Sequence, residues 1–254
     1  MTKEEELLQK RIMDLAKQAY RTNRPVFSDF LNMNELTIYS DMKKDLSFIE
    51  NDSFGGFSLA ERKMIGFFPD GFEIDYSSFP IEMVSIAPLN KKFSDDLSHR
   101  DFLGALVNTG IDRCKLGDLI VDTNECRFFW VKSLANYFVD EITRVKHTSV
   151  MLRVEELKQI ESDEFIKFKE YQGSVSSMRA DSITALAIRG SRNQADTLIK
   201  EKKLFVNSKL ITKKDYQFKP NDVFSIRGYG KFVIDSVGEP NSKGRFKVDL
   251  KIYQ

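Results

Sequence analysis

The chain has 254 residues, 41% of them hydrophobic and 21 of them Phe, a composition that excludes general disorder and suits two or three small domains. No apolar run approaches the roughly 18 residues that cross a bilayer, and the opening MTKEEELLQK lacks the basic and apolar parts of a signal peptide. A soluble, cytoplasmic protein with no membrane partner is expected. The net charge of +1 hides an asymmetry: residues 172–254 carry 16 Lys and Arg against 8 Asp and Glu, a balance of +8, and the residues before them a balance of −7. Either the C-terminal third meets a polyanion, or it has a lysine-rich solvated surface.

The pattern falls into three units of an α+β protein. In the first, residues 1–71, helical spacing of Leu8, Ile12, Leu15, Ala16 and Ala19 predicts a helix over 3–21. A second helix is expected after Arg24-Pro25, opening near Ser28-Asp29 with Phe27, Phe30, Leu31 and Met33 as its apolar residues. MIGFF, closed by Pro69-Asp70-Gly71, reads as a strand.

The second unit, 72–160, alternates in type. MVSIAPL reads as a strand, HRDFLGALVNTG as a helix ended by Gly110, and DLIVD and CRFFWVK as strands joined at Thr123-Asn124. SLANYFVDEITRV is expected to be a helix with Leu134, Tyr137, Phe138 and Ile142 on one face, and SVMLRVEEL the last strand. The order βαββαβ points to a ferredoxin-like domain of RNA-binding type. That fold hosts many functions, and Phe128, Phe129 and Trp130 are consecutive, so they do not form a clear row of exposed aromatic rings.

The third unit, 174–254, follows the charged link ESDEFIKFKEYQGS. Two short helices broken at Gly190 precede strands in LFVN, KLIT, DVFSI, GKFVIDSV and RFKVDLKIY, with turns at Asn207-Ser208, Pro220-Asn221 and residues 241–244. Two helices packed on a small bent sheet are expected.

No enzyme signature is present: GYGK lacks the spacer and the Ser/Thr of a phosphate loop, and there is no GxSxG, HExxH or GxGxxG. Cys114, Cys126, His99 and His147 form no metal-ligand spacing, so reduced thiols, no metal and no cofactor are expected. The third unit instead carries chemistry suited to nucleic acid. Arg179 precedes its first helix, Arg189 ends it, Ser191 and Arg192 open the second, and Lys200, Lys202 and Lys203 leave it. The spacing of 189, 192, 200 and 203 lets several of them share one helix face. Free N–H groups at the opening of the second helix would favour a phosphate beside Arg192. Asp181 is read as a brace for Arg179 or a cap. Arg227 and Lys231 flank Gly228 and Gly230, which permit close backbone approach or simply make a turn, and Tyr229 offers a ring for stacking.

The segments MRADSITALAIRGSRNQADTLIKEKKLFVNSKLI and PNDVFSIRGYGKF resemble an S4-type RNA-binding domain, through an Arg-x-Asp entry, a Ser-Arg helix start, a Leu-Ile pair and a strand ending in Val-Asn. Asn207 and Lys209 join the expected RNA-binding residues on this resemblance. Ala180 and Lys203 depart from it, where leucine and glycine are usual. SFGGFSLAERKMIGFFP, LSHRDFLGALVNTGIDRCKLGDLIVD and SIRGYGKF are similar, in matching order, to the YlmH proteins of Gram-positive bacteria. That resemblance implies an N-terminal domain, a central RNA-binding-type domain and a C-terminal S4 domain. It further implies a role in ribosome-associated quality control and a link to cell division. The implied partner is the rRNA of large ribosomal subunits holding peptidyl-tRNA, and the implied action is support for C-terminal alanine tailing of stalled chains. Arg179 and Arg192 are the implied rRNA contacts, and neither DNA binding nor self-association is expected. Arg100, Arg113 and Lys115 offer a second RNA surface, against the alternative that Asp101 and Asp118 brace loops and that His99 is buried or capping. Competing readings are an RNA-modifying enzyme or its accessory, and a cell-division scaffold.

Overall fold

The computed structural model describes residues 2–57, 59–155 and 167–253. The chain divides into two compact units, Met1–Phe165 and Ile166–Gln254. The first two expected domains therefore fall within one unit, each with its own apolar cluster. Helices and sheets are mixed throughout, as an α+β reading requires.

The first unit opens with α1, Lys3–Thr22, fixed by a reciprocal cap between Thr2 and Glu5 and ended by Asn23 in the left-handed region at φ 51°. The expected second helix is displaced. Residues Val26–Phe27 form β1, and α2 runs over Met33–Asp41. Asn32 caps it, because its side chain accepts from the Asn34 and Glu35 N–H groups while Glu35 reaches back to the Asn32 N–H. Ser28 serves the sheet instead: its buried hydroxyl accepts the Ile65 N–H at 2.9 Å. Then follow β2, Glu50–Phe54, and β3, Met64–Phe68, in the antiparallel order β1-β3-β2. Ile12, Ala16 and Ala19 of α1 pack with Tyr39, Leu46, Ile65 and Phe67.

The remainder of this unit comprises β4 (Ile81–Pro88), α3 (His99–Asn108), β5 (Leu116–Asp122), β6 (Glu125–Val131), α4 (Ala135–Phe138), β7 (Arg144–Val145) and β8 (Thr148–Glu155). All its strands pair antiparallel in the order β5-β6-β4-β8-β7. Thr123 and Asn124 both take positive φ, which suits the tight β5–β6 hairpin. The helix expected over 133–145 shrinks to the single turn of α4. β-Branched Ile142, Thr143 and Val145 favour extended backbone, and Lys146 at φ 52° turns β7 back onto β8. Leu134 and Phe138 still pack on the core as expected; the Tyr137 side chain, like the end of the last strand beyond Glu155, lies outside the described residues. Phe128, Phe129 and Trp130 are all buried, but on opposite faces: Phe128 and Trp130 join the core under α3, whereas Phe129 stacks on Phe57 at 5.6 Å. The N-terminal segment thus covers that part of the sheet face opposite the helices.

The second unit begins earlier than expected. Within the charged link, residues 161–166 lie outside the described residues, but Phe168–Val175 form β9, an edge strand paired along its whole length with the last strand. Edge pairing tolerates the charges, which point to solvent while Val175 is buried. Helices α5, Ala180–Ala187, and α6, Arg192–Lys200, come next. They are followed by β10 (Leu204–Val206), β11 (Lys209–Leu210), β12 (Val223–Ile226), β13 (Gly230–Val237) and β14 (Phe246–Tyr253). The sheet order is β11-β10-β12-β13-β14-β9. Ile183, Leu198, Ile199, Phe224, Phe232, Ile234, Val248 and Leu250 make one core between helices and sheet.

Candidate nucleic-acid interface

The α5–α6 corner is built from two matching helix ends. At the end of α5, the Arg189 N–H bonds the Leu186 carbonyl and the Gly190 N–H reaches the Ala185 carbonyl. At the end of α6, the Lys202 N–H bonds Ile199 and the Lys203 N–H reaches Leu198. Both are Schellman ends, in which the left-handed residue is ordinarily glycine. Here the left-handed residues are Arg189, at φ 52°, and Lys202, at φ 59°. A sequence reading assigns those roles to Gly190 and to position 203, one residue late in each case. Ser191 caps α6 as expected, accepting the Gln194 N–H while Gln194 accepts the Ser191 N–H. Its hydroxyl is thereby engaged.

The expected single basic face does not form. Only Arg192 and Lys200 lie within α6; Arg189 precedes it and Lys203 follows it. Eight residues at 1.5 Å rise put these two about 12 Å apart along the axis. The cations gather instead at opposite ends of the helix.

At the N-terminal end, a groove of about 490 Å³ is lined by Arg189, Arg192 and three residues that motif reading overlooks: Tyr171, Ser176 and Arg245. The Arg192 guanidinium donates to the Ser176 hydroxyl. Arg245 donates from Nε to Ser174 Oγ at 3.1 Å and from Nη2 to the Ser174 carbonyl at 2.5 Å. Arg189 lies over the Tyr171 ring, 4.4 Å from its centroid. No carboxylate lines this groove, and among the described residues none pairs with these three arginines. Serine and carbonyl oxygens orient a guanidinium without neutralising it. Arg179 differs: it is 36% exposed and its Nε pairs with Asp181 Oδ1 at 3.0 Å, so Asp181 is the expected brace. The strand signal that would reveal Tyr171 and Ser174 is masked by the charges of β9, and Arg245 stands alone after the Gly244 turn.

At the other end, Lys200 pairs with Asp196 and Lys203 with Glu201, both at 2.8 Å, while Lys202 is exposed. The Arg227 guanidinium sits 4.8 Å from the Phe205 ring centroid, while the Arg227 backbone N–H donates to the Lys203 carbonyl at 3.0 Å. Tyr229 is 51% exposed in the β12–β13 turn. Gly228 and Gly230 take φ 88° and 116°, and a Cβ on either meets open space, so the turn alone calls for glycine. Lys231 lies over the Tyr253 ring, and Lys209 is exposed on β11. Asn207 is a turn residue: at φ 47°, it donates to Asp222 and accepts the Val223 N–H.

The residues of the expected second surface are divided. Arg100 is exposed in the first turn of α3. Arg113 turns inward and donates to the Leu116 and Gly117 carbonyls at 2.7 and 3.0 Å. Burial, with repulsion from Arg62 acting the same way against the attraction of Asp118, pulls its guanidinium down to about 10. Lys115 pairs with Asp29 at 2.5 Å. His99 is neither buried nor the cap; it is exposed, and Ser98 and Asp101 form the reciprocal cap. Asp118 braces a loop by accepting the Glu61 and Arg62 N–H groups.

Residues 75–159 match the family model described as "Putative RNA-binding domain in YlmH". Ribosome-associated protein quality control protein P2 of Bacillus subtilis (strain 168) is 26% identical over 239 residues, which span 93% of this chain and 90% of that protein. The chain is YlmH-like. The solved structure of cell division protein ylmH from Streptococcus pneumoniae shares the fold at a TM-score of 0.52 and 23% identity, covering 61% of this chain and 93% of its own. The family-model match takes in Arg100, Arg113 and Lys115, whereas the arginine groove at the opening of α6 lies outside residues 75–159. Among the described residues, no helix is long and apolar enough to cross a membrane.

Proposed function

We propose that this chain is a non-catalytic RNA-binding factor of ribosome-associated quality control. It binds rRNA of the large ribosomal subunit while peptidyl-tRNA is held there, and it supports C-terminal alanine tailing of the stalled chain. The observation that carries the reading is the carboxylate-free arginine groove at the opening of α6, where helix N–H groups and guanidiniums favour the same anion. The likeness to the B. subtilis quality-control protein over most of both chains supports the ribosomal setting. In this reading residues 174–254 act as an S4-type domain, and 72–160, with sheet order β5-β6-β4-β8, as a ferredoxin-like RNA-binding domain beside an N-terminal domain of 1–71. The protein acts as a cytoplasmic monomer, by positioning rather than by chemistry.

The test is co-sedimentation of the full chain with large subunits. Arg179→Ala combined with Arg192→Ala is expected to abolish it while circular dichroism stays unchanged, and the wild-type affinity is expected to fall steeply with salt as phosphate counterions are exchanged. Unchanged co-sedimentation of the double variant removes the proposed site.

A further inference from the structure

The three arginines of the groove differ in what holds them. Arg192 and Arg245 are aimed by Ser176 and Ser174, through hydroxyl and carbonyl oxygens that leave their charge unbalanced. Arg189 is aimed by a ring: its guanidinium carbon sits over Tyr171, 4.4 Å from the centroid, and both side chains line the groove. A guanidinium stacked in this way extends the tyrosine platform and suits a planar aromatic partner.

Arg189 also occupies a backbone position where glycine is the more stable choice. Its φ of 52° places its Cβ in the left-handed region, although a glycine stands next door. The neighbour is not interchangeable with it, since a Cβ at Gly190 would run into Gln194 Oε1 of the α6 cap. A strained arginine at the mouth of a cationic groove points to a use for its side chain.

Resting on the RNA-binding reading above, we propose that this groove holds one unpaired nucleotide of the bound RNA. Its phosphate lies between Arg192 and Arg245, and its base stacks on the Arg189–Tyr171 platform. The volume of about 490 Å³ falls in the range of clefts that enclose single small ligands. Duplex RNA keeps its bases stacked on one another and has none to offer the platform, so the groove distinguishes unpaired from paired RNA. Tyr171 and Arg245 belong to β9 and to the turn before β14, so the strand pair at the sheet edge supplies half of the site.

The experiment uses the full chain and two fluorescein-labelled RNA hairpins closed by a polyethylene glycol linker in place of loop nucleotides, identical except that one stem carries a single bulged nucleotide. Fluorescence anisotropy at fixed salt is expected to show about tenfold tighter binding of the bulged hairpin by the wild type, as a stacking contribution of this kind implies. Arg189→Gly is expected to erase that preference without lowering the melting temperature, so its loss cannot come from misfolding. Arg245→Gln is expected to weaken binding of the bulged hairpin about tenfold. Equal binding of both hairpins by the wild type overturns the proposal, as does an unaltered preference in Arg189→Gly. If the Arg179→Ala, Arg192→Ala chain loses large subunits while Arg189→Gly and Arg245→Gln behave as wild type, RNA binding stands and the nucleotide slot falls. A wild type that binds large subunits but neither hairpin also removes the slot, and one that binds no RNA at all removes both readings.

Discussion

The Asp118 carboxylate accepts the backbone N–H of Arg62 at 3.2 Å, joining the loop before β3 to strand β5. The Arg62 side chain then crosses the same seam in the other sense, donating to the Leu116, Phe30 and Arg113 carbonyls at 2.9, 3.0 and 3.2 Å. Burial lowers the pKa of its guanidinium, against the attraction of Asp118. Removing the side chain leaves three carbonyls without this donor. Arg62→Ala is expected to destabilise the first unit by about 2–4 kcal/mol in urea unfolding, with an intact basic groove in the second unit still binding RNA. A loss below about 0.5 kcal/mol would show that water replaces these bonds at no cost.

Asp101 gives the first unit an acid-sensitive contact. Hydrogen bonds from Lys146, then from the Ser98 hydroxyl and N–H, hold its carboxyl at about 2, below the ordinary 3.8. Because the folded value lies below the unfolded one, the stabilisation is fully present above about pH 4 and is lost as pH falls towards 2. Carbon-detected NMR titration is expected to place the Asp101 midpoint near 2, and Lys146→Met is expected to move it upward. An unmoved midpoint would assign the shift to Ser98 alone.

The cations of the C-terminal unit are expected to contribute unequally to RNA binding. Lys200 and Lys203 already have carboxylate partners, and exchanging a partner for a phosphate gains less than engaging an unpaired charge. Lys200→Ala and Lys203→Ala should each weaken RNA binding less than twofold and leave the salt dependence nearly unchanged. Arg192→Ala should weaken it tenfold or more and reduce the slope of log affinity against log salt by about one. Equal effects at all three positions would restore the continuous basic face that the helix bounds exclude.

Lys202 separates stability from function at the far end of α6. Its φ of 59° meets the conformational demand of a Schellman end without the freedom of glycine. Lys202→Gly is therefore expected to raise stability by about 0.5–1 kcal/mol in thermal unfolding. The same change removes an exposed cation, so RNA affinity should hold steady or fall while stability rises.

What the sequence discloses depends on how local each determinant is. MIGFF becomes β3 residue for residue, because an apolar run between turns suffices to define a buried strand. Ser191 and the buried Ala195, Leu198 and Ile199 of α6 are equally legible, since cap and stripe lie within one helix. The second helix is misplaced because Phe27 pairs with Gly66 across a sheet and meets the Phe68 ring, a partnership that no window around Phe27 contains. Strand β9 is hidden in the same way: its pattern is weak, and its assignment rests on pairing with β14 about 80 residues away. The groove combines both cases. Arg189 and Arg192 stand in a readable motif, but Tyr171 and Arg245 reach them only through the β9–β14 edge.

That edge also explains Gly173, which sequence reading leaves inside a linker. A Cβ at this position would overlap Leu186 Cδ1 on α5, so the glycine lets the strand lie directly against the helix flanked by Arg179 and Arg189. Leu186 is only partly buried and borders the groove, so a new methyl group would push its side chain towards that space. Gly173→Ala is expected to cost about 1–3 kcal/mol of stability in the second unit through overpacking. Leu186→Ala in the same chain should recover part of that loss, because it vacates the space the new methyl group needs. Two independent, additive losses in the double variant would mean that strand and helix do not meet at this point. Recovery would instead fix the strand–helix contact that holds Tyr171 beneath Arg189.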